Sequence, residues 1–246
     1  MVDRLTAAGC IAAAEEAHEL LAAAPDDATL DGWIRRREQG EPLAWIVGTV
    51  QFCDHTLHVD PGVYVPRPQT EELARRAARL LPSRGCALDL CTGSGAVATH
   101  LMAQDPSATV VGVDVDERAV LCARRNGVTV VVAELGDPLR CDAFDVVTAV
   151  APYVPTAALD FLPADVRRHE PKLALDGGRD GLDLVRPIVG TSARLLRPGG
   201  WLLLELGGEQ DEALRPTLAA YGFRAWSSWS DEHGEIRGLI AKAPLS

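Results

Sequence analysis

Long apolar runs and aromatic residues are both scarce in this 246-residue chain. No apolar run approaches the roughly 20 residues of a membrane-spanning helix. The N-terminal residues show no basic stretch followed by an apolar segment, which an export signal would need. We therefore expect a cytoplasmic protein without a membrane partner, and with a core built from aliphatic side chains.

Basic charge and paired cysteines are also lacking. The chain has 24 Lys and Arg against 35 Asp and Glu, so its net charge of −11 disfavours naked nucleic acid, which normally binds a basic face. The six cysteines form no C-x-x-C pair, and none has histidines at zinc-finger spacing. Reduced thiols and no metal site are the expectation, as is usual in the cytoplasm.

Ala, Leu and Val dominate the composition, and their arrangement predicts three parts. An Ala- and Glu-rich stretch predicts a helix over 4–24, and a second helix is predicted over 29–39. Alternation of apolar and polar residues over 45–65 predicts a hairpin, followed by a helix over 70–81. The predicted parts are a helical appendage at 1–40, a hairpin and linker at 41–68, and a main domain at 69–246.

From Cys86 onward, β-rich runs alternate with helical stretches, which predicts an α/β fold with a parallel sheet and crossover helices. The predicted strands are 86–91, 108–114, 128–133, 144–150 and 200–206. The predicted helices are 95–104, 116–126, 180–197 and 209–221. Residues 225–229 and 236–241 should close the domain as an antiparallel hairpin.

A turn rich in small residues, Gly93-Ser94-Gly95, leads from the first of these strands into a helix. Glycines allow a ligand to approach the backbone, and helix N-terminal amides attract polar groups. The same pattern satisfies the dinucleotide fingerprint, with Asp114 at the right distance to hold a ribose, so NAD is one candidate cofactor. Asp116, two residues further on, is predicted to cap the next helix.

S-adenosylmethionine (SAM) is the favoured cofactor, because Asp89 lies inside the first strand and could hold the amino group of a methionine moiety. Glu134, after the third strand, could meet an adenine amine or remain solvated. The Cys91 thiol is predicted to pack under the cofactor rather than act as a nucleophile. The complete predicted cofactor set is Asp89, Cys91, Thr92, Gly93, Gly95, Asp114, Val115, Glu134 and Leu135.

Four blocks occur in a fixed order along roughly residues 38–210: EPLAWIVG at 41–48, VPRPQTE at 65–71, the Gly turn, and a block at 169–182 that opens with His169-Glu170-Pro171. Together they resemble the protein-(glutamine-N5) methyltransferases that modify peptide-release factors. The resemblance implies a Rossmann-like class I SAM-dependent methyltransferase fold with a short N-terminal helical appendage. It also implies a protein acceptor, for which a peptide-release factor is the candidate.

In the family that the chain resembles, an Asn-Pro-Pro-Tyr motif after the fourth strand orients the target amide. The Asn oxygen and the next backbone carbonyl accept hydrogen bonds from its NH2 group. Here the motif is Val150-Ala151-Pro152-Tyr153, and Val150 has no polar side-chain atom for that contact. An amide hydrogen left unpaired in a buried site costs roughly 1–3 kcal/mol, so a glutamine side chain should bind less well.

Three functions therefore stay open: methylation of a protein glutamine, N- or O-methylation of a small molecule, and SAM binding without catalysis. Arg67 and Pro68 are the candidate substrate-binding residues, and Arg67 could either bind the acceptor at the pocket mouth or pair with Glu71. Gln69 departs from the Asp usual in the family. Residues 168–170 could form a lid over the site or a solvated, self-paired charge cluster.

Overall fold

The computed structural model of the protein describes residues 1–245. The helices are α1 (Val2–Ala7), α2 (Ala13–Ala23), α3 (Asp27–Glu38), α4 (Leu43–Val47), α5 (Thr70–Leu80), α6 (Ala96–Gln104), α7 (Glu117–Arg125), α8 (Ala164–His169), α9 (Val185–Leu195) and α10 (Gln210–Ala220). The strands are β1 (Thr49–Phe52), β2 (His55–His58), β3 (Cys86–Leu90), β4 (Thr109–Asp114), β5 (Thr129–Val132), β6 (Phe144–Ala149), β7 (Leu196–Glu205), β8 (Ala225–Ser230) and β9 (Ile236–Lys242).

The main sheet has seven strands in the order β5-β4-β3-β6-β7-β9-β8. Strands β3 to β7 are mutually parallel, whereas β9 is antiparallel to β7 and β8 is antiparallel to β9. This confirms the α/β fold with five parallel strands and a terminal hairpin. Because the strands are parallel, the carboxyl ends of β3, β4 and β6 meet at one edge of the sheet.

Apolar residues cover both faces of the sheet, as a parallel sheet requires. One face packs against α9 and α10 through fully buried side chains such as Ile188 and Leu214. The other face packs against α5, α6 and α7 through Leu73, Leu101 and Val120. Both layers hold the carboxyl edge of the sheet in place, and the turns that follow the strands are therefore built on a rigid base.

The N-terminal part differs from the sequence prediction in two places. The helix expected over 4–24 is broken into α1 and α2, because Gly9 takes a positive φ of 88° and the chain turns there. Trp45, expected in the hairpin, lies in the short helix α4, and the hairpin itself spans only β1 and β2. The Trp45 indole donates to the Val63 carbonyl at 3.0 Å, which ties α4 to the linker.

The first three helices enclose an apolar cluster of their own, which includes Leu5, Leu20 and Ile34. Ile46 of α4 completes it, so the cluster extends past the boundary expected at residue 40. No helix among residues 1–245 is both long and apolar enough to cross a membrane.

Candidate active site

The turn after β3 has a backbone shape that depends on glycine. Cys91, Gly93 and Gly95 have φ values of 54°, 56° and 82°, in the region that L side chains rarely adopt. A Cβ atom on Gly95 would lie 2.8 Å from the Cγ2 atom of Val128, whereas one on Gly93 would meet no atom of residues 1–245 within 4 Å. Gly95 therefore permits close packing, and Gly93 leaves room for a ligand.

Asp89, at the end of β3, is a buried carboxylate with two hydroxyl partners. Its side chain accepts hydrogen bonds from the Thr92 hydroxyl at 2.6 Å and from the Thr148 hydroxyl at 2.7 Å. Asp89 is only 2% exposed, and burial raises its pKa to about 6 against the stabilising effect of both hydroxyls. An ammonium group placed beside Asp89 would therefore gain a strong charge-assisted hydrogen bond.

Asp114, at the end of β4, lies beside the same turn. Its two carboxylate oxygens accept from the backbone N–H of Gly93 at 2.9 Å and of Asp116 at 3.0 Å. Burial raises its pKa, and each oxygen keeps a lone pair for a further donor such as a ribose hydroxyl. Asp116 caps α7 by accepting from the Arg118 N–H at 2.9 Å, as predicted.

These residues line one concave space, which we call the cofactor pocket. Of the predicted cofactor residues, the structure brings six to its wall: Asp89, Cys91, Thr92, Gly93, Asp114 and Val115. Burial raises the pKa of the Cys91 thiol, so it remains protonated and is a poor nucleophile. Gly95 lies behind the wall, in the packing of the turn.

Glu134 and Leu135 do not line the cofactor pocket. Both follow β5, where Glu134 is exposed and Leu135 takes a positive φ of 51°. The apolar side chains of Val115, Ala119 and Leu173 line the pocket instead. An adenine ring lying there would contact these apolar side chains.

The donors and acceptors of the cofactor pocket suit SAM. Ser94 lines it with a buried hydroxyl that has no hydrogen-bond partner within residues 1–245. Asp89 places a negative charge at the foot of the Gly turn, where a dinucleotide would put its anionic pyrophosphate. That charge would repel pyrophosphate but attract the ammonium group of a methionine moiety.

A second space of about 800 Å³, the outer cleft, separates the N-terminal helices from the main domain. Ala151, Tyr153 and Arg67 line it, together with residues 8–12 of the appendage. Three residues line both the outer cleft and the cofactor pocket: Tyr64, Val150 and Ala174. We call this junction the neck, since an acceptor in the outer cleft would meet a bound cofactor there.

The altered motif at 150–153 follows β6 and is divided between the two spaces. Val150 lies in the neck, Pro152 lines the cofactor pocket, and Ala151 is 4% exposed in the wall of the outer cleft. No residue of the described part of the chain donates to the Ala151 carbonyl, which leaves this acceptor available. Tyr153 donates its phenol hydrogen to Glu205 Oε1 at 3.0 Å.

Comparison with known proteins decides the family. Residues 87–169 match the model of a methyltransferase domain. A release factor glutamine methyltransferase of Geobacter sulfurreducens is 40% identical over 209 residues, covering 82% of this chain and 74% of the relative. That of Moorella thermoacetica is 41% identical over 219 residues, covering 85% and 77%. The chain belongs to the release factor glutamine methyltransferase family. It is an enzyme that depends on SAM, and the NAD alternative is wrong.

One similar protein is named for a different methyl acceptor. The 4-amino-L-phenylalanine/4-methylamino-L-phenylalanine methyltransferase of Streptomyces pristinaespiralis is 40% identical over 211 residues, covering 80% of this chain and 70% of that protein.

Solved structures agree on the fold. The ribosomal protein L11 methylase of Lactobacillus delbrueckii has a TM-score of 0.56 at 15% identity, covering 75% of this chain and 84% of its own.

In this member of the release factor glutamine methyltransferase family, Arg67 does not pair with Glu71, whereas its predicted role in binding the acceptor stays a prediction. It forms an ion pair with Glu170 and lies over the Tyr64 ring, with its guanidinium carbon 5.0 Å from the ring centroid. Glu71 pairs with Arg75 instead, at 2.6 Å. Glu170 is 6% exposed, so the interpretation of 168–170 as a solvated, self-paired cluster is wrong for this residue.

Three other residues differ from the sequence prediction of the site: Pro68, Tyr64 and Ala174. Pro68, predicted at the acceptor site, is exposed and lies outside the lining of both spaces. Tyr64 and Ala174 were missed, although both lie in the neck. Tyr64 immediately precedes the VPRPQTE block, and this adjacency is the signal that could have identified it.

Proposed function

We propose that this enzyme methylates the side-chain amide nitrogen of a glutamine in a protein, with a peptide-release factor as the first acceptor to test. Membership of the release factor glutamine methyltransferase family supports this substrate. The outer cleft supports it too, because an extended side chain entering there would reach the neck between Tyr64 and Val150. Ile11 and Phe161 at the outer cleft are 99% and 87% exposed, as residues that contact a protein partner can be.

The proposal requires the chain to orient a weak nucleophile. An amide lone pair is delocalised, so the NH2 group must be held with its lone pair toward the donor methyl. The free carbonyl of Ala151 can accept one N–H, and the Tyr153 ring can limit rotation of the amide. Val150 supplies no second acceptor, and positioning must then come from the walls of the neck.

For the cofactor, we propose that Asp89 binds the methionine ammonium and that Asp114 accepts from the ribose hydroxyls. Cys91, Thr92, Gly93 and Val115 would form the surrounding wall, while Gly95 maintains the turn. SAM, when bound, supplies an electrophilic methyl group on a sulfonium. Glu134 and Leu135 could reach an adenine edge only from outside the cofactor pocket.

A second candidate is N-methylation of a small aromatic amine, which a specific observation favours. The Streptomyces pristinaespiralis relative is named for 4-amino-L-phenylalanine, and it is as similar to this chain as several of the glutamine-modifying relatives. An aniline ring would pack against the apolar side chain of Val150 and the ring of Tyr64 without leaving a buried amide hydrogen unsatisfied.

A comparison of acceptors with wild type and Val150→Asn distinguishes these functions. Radiolabelled methyl transfer would be measured to a release factor, to its glutamine-containing loop peptide, to the same peptide with glutamate, and to 4-amino-L-phenylalanine. For a glutamine acceptor, Val150→Asn should raise kcat/KM by about 5- to 150-fold, because it restores a contact worth roughly 1–3 kcal/mol. Val150→Leu, which is close to asparagine in size but has no polar side-chain atom, is the matched control.

The acceptor proposal is overturned if transfer occurs only to the aromatic amine and Val150→Asn reduces it. SAM binding without transfer to any acceptor would favour a catalytically silent protein. We also propose a cytoplasmic location, which is supported by the free state of all six cysteines, including the exposed Cys141.

A further inference from the structure

A buried carboxylate lies directly behind the altered motif. Glu205 is the last residue of β7 and is 2% exposed. Leu204 pairs with Ala149 of the neighbouring parallel strand, which brings Glu205 level with Val150 at the carboxyl edge of the sheet. Burying a carboxylate is costly unless its oxygens are satisfied, and the position therefore calls for an explanation beyond packing.

Two hydroxyl groups from separate elements donate to this carboxylate. Tyr153 donates to Oε1 at 3.0 Å, and Thr70, the first residue of α5, donates to Oε2 at 2.6 Å. Each oxygen of the Glu205 carboxylate therefore accepts one hydroxyl hydrogen, an arrangement that suits the ionised form. Glu205 thus joins the start of α5, the end of β7 and the loop after β6.

The backbone of Tyr153 is held independently of its ring. The Gln210 amide donates to the Tyr153 carbonyl at 2.7 Å and to the Asp180 carbonyl at 3.1 Å. A Cβ atom on Gly181 would lie 2.1 Å from that Tyr153 carbonyl oxygen, so glycine is required for this approach. Loss of Glu205 would consequently release the Tyr153 ring and leave the loop in place.

We propose that Glu205 is a positioning residue for methyl transfer: it holds the Tyr153 ring at the wall of the outer cleft, where the ring limits the orientations open to the acceptor nitrogen. The inference rests on the proposed role of Tyr153 in the acceptor site. It does not depend on whether the acceptor is a glutamine amide or an aromatic amine, because either nitrogen must be oriented at the neck.

Kinetics of Glu205→Leu, Glu205→Gln and Tyr153→Phe test this role with whichever acceptor the wild type methylates. Glu205→Leu and Tyr153→Phe should each lower kcat about tenfold, the scale expected when a reacting group is misoriented, with KM and the SAM dissociation constant changed less than about twofold. The double variant should lose no more than either single variant. Glu205→Gln, which can accept from Tyr153 and donate to Thr70, should recover most of the activity.

The matched control is Glu209→Gln, which makes the same change at an exposed residue four positions later. It should match wild type in every measurement. If Glu205 had only a structural role, Glu205→Leu would lower thermal stability and change kcat and KM together, and that result would overturn the proposal. Additive losses in the double variant would also overturn the proposal.

A spectroscopic measurement separates this inference from the proposed function when no acceptor is methylated. The chain has three tyrosines, so fluorotyrosine labelling should give three 19F resonances, which single Tyr→Phe variants assign. Glu205→Leu should shift or broaden the Tyr153 resonance while leaving that of the distant Tyr221 unchanged. An unaltered Tyr153 resonance would refute positioning by Glu205, whatever the acceptor.

Discussion

Acidification should weaken binding of S-adenosylhomocysteine, because Asp89 loses its charge near pH 6. Burial raises the pKa of Asp89 from 3.8 to about 6. The carboxylate is then nearly fully ionised at pH 8 but only about one-tenth ionised at pH 5. If the ammonium group of the ligand requires the carboxylate, affinity should fall about tenfold between these pH values, or about 1.4 kcal/mol.

Acidification should affect folding stability through Asp89 in the opposite direction to its effect on ligand affinity. Because its pKa is higher in the folded protein, the folded state binds this proton more tightly than the unfolded chain does. The resulting destabilisation is absent below pH 3.8, grows as pH rises toward 6 and is complete above it, at roughly 3 kcal/mol for a shift of this size. Between pH 4 and 6, acid should therefore favour folding through Asp89 while weakening ligand binding.

Isothermal titration of S-adenosylhomocysteine at pH 5, 6, 7 and 8 measures the binding effect. Asp89→Asn should bind weakly at every pH, and Thr148→Val should move the midpoint upward by removing a donor to the carboxylate. Asp114→Asn, which removes the other carboxylate of the cofactor pocket, should bind less tightly and move the midpoint downward, because the Asp114 charge helps to raise the pKa of Asp89. A wild-type affinity that is constant from pH 5 to 8, or a pH dependence that persists in Asp89→Asn, would refute the reasoning.

Three further variants test the packing around the site. Arg67→Met leaves a buried glutamate without its cation and should reduce the free energy of unfolding by about 3–5 kcal/mol in urea denaturation; an unchanged midpoint would contradict a buried ion pair. Gly95→Ala should lower thermal stability and SAM affinity more than Gly234→Ala, which has a similar φ but open space around it. Asp116→Ala should cost about 1 kcal/mol of stability through the lost cap of α7, and a change below 0.3 kcal/mol would argue against the cap.

The sequence predicted the central strands closely because they are buried on both faces and form short apolar runs between turns. The exception is β7, which begins at Leu196 rather than at residue 200. Pro198, Gly199 and Gly200 have the composition of a turn, but they form an irregularity inside the strand, with Leu196 still paired to Phe144. Local composition favours a turn there, whereas pairing with β6 extends the strand.

Sequence patterns could not predict contacts between segments that are far apart in the chain. The Gly turn could be located because its glycines, its adjacent Asp89 and the strand before it are contiguous in sequence. The partner of Arg67 lies 103 residues away, and the nearer Glu71 was an equally reasonable choice from spacing alone. Glu205 shows no local motif, since its role follows from sheet register and from Thr70 on another element.

The ionisable groups around the neck favour a nitrogen acceptor over an oxygen acceptor. An alcohol must lose its proton during methylation and therefore needs a base, whereas an amine or a well-oriented amide can attack with its lone pair and release the proton afterwards. Burial raises the pKa of Tyr64 to about 12 and raises that of Tyr153 as well, so neither phenol is ionised near pH 7. Arg67 is committed to its ion pair, and both oxygens of Asp89 accept from threonine hydroxyls at the foot of the Gly turn. Glu205, the carboxylate behind the motif, accepts from the Tyr153 and Thr70 hydroxyls with its two oxygens. Each of these candidate bases within residues 1–245 is therefore protonated or already paired, and orientation by Ala151 and Tyr153, as proposed above, suits a nitrogen acceptor better than an oxygen acceptor.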